Sequence, residues 1–91
     1  MKFNYKQGDQ EVSITLRDGD GVLVYTDYGR RVRWEAVILV SGSCFALRRR
    51  GGWNDVNLGV INSAVVRFAE EELELDLSAN VVRVAYLPAT N

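Results

Sequence analysis

An all-β domain is the fold class the sequence predicts: a small antiparallel meander of seven or eight strands that closes into a barrel or folds into a two-layer sandwich. Three observations carry this. Apolar and polar residues alternate with period two in Val12-x-Ile14-x-Leu16, Val32-x-Trp34-x-Ala36-x-Ile38-x-Val40, Leu73-x-Leu75-x-Leu77 and Val82-x-Val84-x-Tyr86. Turn chemistry bounds these runs: Gln7-Gly8-Asp9, Asp18-Gly19-Asp20-Gly21, Ser41-Gly42 and Ser78-Ala79-Asn80. The single proline, Pro88, follows the last run, where its missing N–H cannot interrupt a ladder.

The first hairpin turns at Gly8-Asp9, which sets Tyr5 against Val12, Phe3 against Ile14 and Lys6 against Glu11. An Asp18-Gly19 turn leads to a third strand, Val22 to Tyr28, with Ile14 facing Leu23 and Val12 facing Tyr25. The opposite side of that pair places Thr15 by Val22 and Ser13 by Val24. A turn at Ser41-Gly42 sets Ile38 against Phe45, Ala36 against Leu47 and Trp34 against Arg49, with Glu35 by Arg48 and Arg33 by Arg50 on the other side. A turn at Ala79-Asn80 sets Leu77 against Val82, Leu75 against Val84 and Leu73 against Tyr86. In each hairpin the apolar residues share one face, and a one-residue slip would scramble them. Glu74 and Asp76 then point outward.

Residues 57–72 are ambiguous. Ile61, Ala64, Val65 and Phe68 have helical spacing, with Asn62 or Ser63 as an N-cap. Val65 and Val66 are β-branched, and Glu70 to Glu72 would oppose the dipole of a helix ending there. A strand is the preferred reading, and an α+β fold with one helix near residues 62–72 is the alternative. The whole chain, residues 1–91, is expected to form a single domain with one modest core.

Composition narrows function mostly by exclusion. The chain has no histidine, which removes the commonest general base and metal ligand and with it any Ser-His-Asp or Cys-His site. One cysteine cannot close an internal disulfide; Cys44, beside Phe45, is expected to be a buried, inert thiol. Asp18-Gly19-Asp20-Gly21 lacks the ligand spacing of a calcium loop and is a hairpin turn, so no metal is assigned. Arg50-Gly51-Gly52-Trp53 matches no phosphate-binding fingerprint. No catalytic residue and no cofactor are assigned, and the chain is read as non-catalytic. No secretory signal follows Lys2, and the longest apolar run, Ala36-Val37-Ile38-Leu39-Val40, is too short for a bilayer. A soluble cytoplasmic protein with no membrane contact is the expectation.

Charge is nearly balanced, at −1, but unevenly placed. Residues 30–50 hold six arginines against Glu35, whereas residues 70–76 hold five acids and no base. The candidate binding residues are Arg31, Arg33, Arg48 and Arg50, with Trp53 at their edge. Guanidinium forks suit carboxylates and phosphates, while Trp34 is read as core, with Arg49 stacked on its ring. The leading expectation is a protein–protein interaction domain, an inhibitor, adaptor or accessory subunit, whose partner presents an acidic surface. A nucleic-acid-binding barrel is the second reading. Self-association through the acidic stripe Glu70 to Asp76, in a structural protein, is the third.

Overall fold

The computed structural model describes residues 1–54 and 56–88. Five strands, β1 (Lys2–Gln7), β2 (Gln10–Arg17), β3 (Asp20–Asp27), β4 (Val32–Ser41) and β5 (Cys44–Arg48), are followed by a helix, α1 (Leu58–Glu71), and by β6 (Arg83–Leu87). The strands form one sheet in sequence order, β1-β2-β3-β4-β5-β6. The domain is mostly β, as expected, but with six described strands instead of seven or eight, and the sheet does not close into a barrel. Nor is it a sandwich, since the layer opposite the sheet is α1.

β1 to β5 form the antiparallel meander. Gly8 takes φ +61° in the first turn, and Asp18 and Gly19 both take positive φ in the second, the conformations that two-residue hairpin turns require. The observed partners include Phe3–Ile14, Tyr5–Val12, Ile14–Leu23 and Val12–Tyr25, as the alternation required. Asp27 closes the β3–β4 loop, where its carboxylate accepts from the Arg30 N–H at 3.1 Å.

The β4–β5 hairpin differs from expectation by two residues. Its turn is Gly42-Ser43, so Ile38 faces Leu47, Val40 faces Phe45 and Val37 faces Arg48. Placing Gly42 first in the turn, at φ +61°, satisfies the geometry that needs glycine there. An even shift leaves every side chain on its expected face, which is why alternation alone does not detect it.

The C-terminal third overturns the strand reading of residues 57–72 and the hairpin at Ala79-Asn80. Val60, Ile61, Ala64, Val65, Phe68 and Ala69 are buried along one side of α1, against the sheet. The helix begins earlier than Asn62: the Asn57 side chain is the cap and accepts from the Val60 N–H at 3.3 Å. Glu70 to Glu72 do lie at the unfavourable end, with no basic residue in the last turn. Interaction of exposed charges with the dipole is a few tenths of a kcal/mol to about 1 kcal/mol each. Burial of one Phe and several aliphatic side chains outweighs it several-fold. Residues 72–82 form no strand, and β6 instead pairs parallel with β5, Phe45 facing Val84 and Leu47 facing Tyr86. A parallel neighbour demands a long crossover, and α1 supplies it.

The core lies between α1 and one sheet face. Phe68 is central to it, with its ring edge-on to Phe3 at 5.7 Å and to Phe45 at 6.4 Å. At the β5–β6 end, Trp53 donates its indole N–H to the Leu87 carbonyl at 2.7 Å and packs between Trp34 and Tyr86. The Tyr86 hydroxyl donates to Asn62 Oδ1 and approaches the Leu58 carbonyl, tying β6 to α1.

Candidate binding face

Because α1 covers one side of the sheet, strand alternation delivers every second residue to an uncovered side. The centre of that side is apolar. Val22, Val37 and Leu39 are 41%, 49% and 42% exposed, and Ala46 and Ala85 continue the patch onto β5 and β6. Register makes these residues neighbours: Val22 pairs with Val37, Leu39 with Ala46, and Ala46 with Ala85.

Charge surrounds the patch. The uncovered side carries Lys2, Lys6, Arg17, Arg33, Arg48 and Arg83 against Glu11, Asp20 and Glu35, an excess of three positive charges. Arg33 approaches Glu35 at 3.9 Å, with both side chains more than half exposed, a contact worth less than about 1 kcal/mol. Among the described residues Arg48 and Arg83 have no salt bridge. The acids of residues 70–76 lie elsewhere, at the end of α1 and in the following loop.

The expected site residues separate. Arg33 and Arg48 share the uncovered face, but the register shift puts Arg48 beside Val37 instead of Glu35. Arg31, at φ +57°, is exposed in the β3–β4 loop, and Arg50 is exposed in the turn after β5. Trp53 belongs to the opposite, helix-covered side and is half-buried. Arg49 stacks on Trp34 at 4.6 Å, as expected, and donates to the Gly52 carbonyl at 2.6 Å. Cys44 corrects the sequence reading: it is exposed, on the uncovered face beside Arg83. The odd-numbered end of β5 holds Phe45 and Leu47 in the core, which turns Cys44 outward.

Sequence reasoning missed Val22, Val37, Leu39, Ala46, Ala85 and Arg83. A signal for the first three was present. The unbroken run Ala36–Val40 puts apolar side chains on both faces of β4, and Val22 and Val24 do the same on β3. Arg83 had no such signal, because only the parallel crossover carries it beside Cys44.

Other features are structural. A shallow depression of about 340 Å³ between β1 and α1 is lined by Tyr5, Asn62, Ser63, Val66 and Arg67. Its polar groups already serve the fold: Arg67 holds Glu71 at 2.9 Å, and Asn62 takes the Tyr86 hydroxyl. Among the described residues no group of three or more His, Cys, Asp or Glu could hold a metal ion. No described helix is long and apolar enough to cross a membrane. No family model, curated protein or solved structure matches the chain.

Proposed function

We propose that this protein is a non-catalytic protein-binding module that uses the uncovered face of its sheet, and that its partner presents aliphatic side chains ringed by carboxylates. One observation carries the reading: exposed Val22, Val37 and Leu39 share a face with Arg33, Arg48 and Arg83. A contiguous apolar patch with a polar rim is the usual anatomy of an interaction site. Completing the burial of three half-exposed aliphatic side chains contributes roughly 1 kcal/mol each, and the arginine rim adds orientation and association rate.

Charge favours a foreign partner over a second copy. Two uncovered faces brought together about a twofold axis would oppose like excesses of three positive charges. Docking that face onto the acidic end of α1 in another copy would be heterologous, giving rings or open filaments in place of the commoner twofold dimer. Nucleic acid is less well supported than protein. Among the described residues the aromatic rings of the strands, Phe3, Tyr5, Tyr25, Trp34, Phe45 and Tyr86, all lie on the α1 side. One ring only, that of Tyr28 just past β3, stands at the border of the uncovered face, its hydroxyl donating to Glu11 at 2.8 Å. Single-stranded recognition depends on such rings for stacking. Cytoplasmic residence belongs to the same proposal, because an exposed Cys44 on a contact face persists as a thiol in a reducing compartment.

The test is affinity capture from lysate, with and without nuclease, using four baits: the native protein, Val37→Glu with Leu39→Glu, Arg48→Ser with Arg83→Ser, and Arg67→Ser as a control on the α1 side. A partner lost with both face variants and kept by the control supports the reading. A partner kept by the face variants, or released by nuclease, overturns it.

A further inference from the structure

Within this face one spot differs from the rest in carrying two adjacent alanines between longer side chains. Ala46 on β5 and Ala85 on β6 are direct neighbours, so two methyl groups floor a notch. Longer side chains bound it: Leu39 on β4, Arg48 and Leu87 toward one end of the strands, and Cys44 and Arg83 toward the other. The fourth side is open, because β6 is the edge of the sheet. With a rise of about 3.3 Å per residue, Arg48 and Arg83 are offset by roughly 13 Å along the strand direction. That leaves room between them for one large side chain lying on the alanines.

We infer that the notch receives a single bulky aromatic side chain of the partner, flanked in the partner's sequence by carboxylates that reach Arg48 and Arg83. This rests on the uncovered face being the contact surface and goes beyond it by naming the anchor. Small residues at a rim of longer ones form the type of pocket in which interface energy concentrates, with aromatic anchors the commonest occupants. Guanidinium groups on two sides suit a ring through cation–π contact and suit carboxylates through forked hydrogen bonds. Neither arginine is engaged by an acid of its own chain among the described residues. Cation–π contact and carboxylate pairing therefore do not have to displace an internal bridge.

The probes are two synthetic heptapeptides of equal charge, each with two acidic residues on either side of a central position occupied by Trp in one and Ala in the other. Amide shifts of the native protein are followed at low ionic strength. The Trp peptide should bind at least ten-fold more tightly and should move Ala46 and Ala85 most. Ala85→Leu, which fills the notch and leaves the charge alone, should weaken the Trp peptide at least ten-fold and leave the Ala peptide unchanged. Equal binding of the two peptides overturns the inference, as does an unaltered response of Ala85→Leu or no binding of either peptide at millimolar concentration. If Ala85→Leu still captures a partner that Val37→Glu with Leu39→Glu loses, the face stands and the notch falls. If both variants capture it, the face falls as well.

Discussion

Truncating Phe68 to alanine tests the feature on which the whole arrangement depends, the seating of α1 on the sheet. Phe68 is fully buried, and its ring meets Phe3 from β1 and Phe45 from β5, joining the first strand to the fifth. An aromatic side chain buries about 150–250 Å², which at about 25 cal/mol per Å² corresponds to roughly 4–6 kcal/mol. Extended-chain reference areas overstate burial by about 10–40%, bringing the transfer contribution to roughly 2–5 kcal/mol. Phe-to-Ala replacements in cores cost about 3–5 kcal/mol, so the two scales agree. A domain of this size has roughly 5–14 kcal/mol in total. The variant should therefore lose roughly a fifth or more of its stability. Urea unfolding followed by far-UV circular dichroism and by Trp34 and Trp53 fluorescence measures this. Arg67→Ala is the comparison, because its pair with Glu71 is exposed and contributes little to stability. If Phe68→Ala costs under about 1 kcal/mol, Phe68 does not seat the helix and the packing argument is wrong.

Three further outcomes are expected. At Gly21 an added β-carbon would lie 1.9 Å from the Thr15 carbonyl oxygen, so Gly21→Ala must shift the β2–β3 ladder and should lower the urea midpoint by the equivalent of about 1–3 kcal/mol. The Arg30 backbone N–H, with help from Gln10, holds the Asp27 carboxyl below the usual carboxylate range despite partial desolvation. Its stabilisation is present above the unfolded value near pH 4 and is lost as pH falls through the lower folded value, so Asp27→Asn should have a flatter acid limb in a stability–pH curve. Burial pushes the Tyr86 hydroxyl up to about 12. Favouring the neutral phenol stabilises the fold below pH 10, an advantage that fades as pH rises toward 12. Tyr25 and Tyr28 are raised as well, so ultraviolet titration of Tyr86→Phe should show one fewer late tyrosinate than the native protein, and its alkaline unfolding should be less steep.

Far more of the fold than of the candidate site was legible in the residues. In β1 to β3 the alternation, the Gly8-Asp9 turn and the Asp18-Gly19 turn all act over a few neighbouring residues, and together they specify both pairing and faces. In β4–β5 they specify the faces only, and the register turns on whether Gly42 stands first or second in its turn. The site was half visible. Charge singled out Arg33 and Arg48, which share the candidate face, but the apolar residues beside them were overlooked, and Trp53, expected at the edge of the arginines, packs against the core on the helix-covered side.

By itself, then, the sequence determined a mostly β chain with antiparallel hairpins and an arginine-bearing β4–β5 pair, because local alternation and turn residues are short-range properties, but it carried the meander on to seven or eight strands where five form it. Only the tertiary structure decided residues 58–87. The β-branched residues and C-terminal acids of α1 leave its local preference divided, and burial of six side chains against the sheet resolves it. The pairing of β6 with β5 has no turn to announce it, since parallel neighbours meet through a distant crossover. That non-local pairing turns the bare alanines Ala46 and Ala85 into neighbours and brings Arg83 to the rim of an uncovered face.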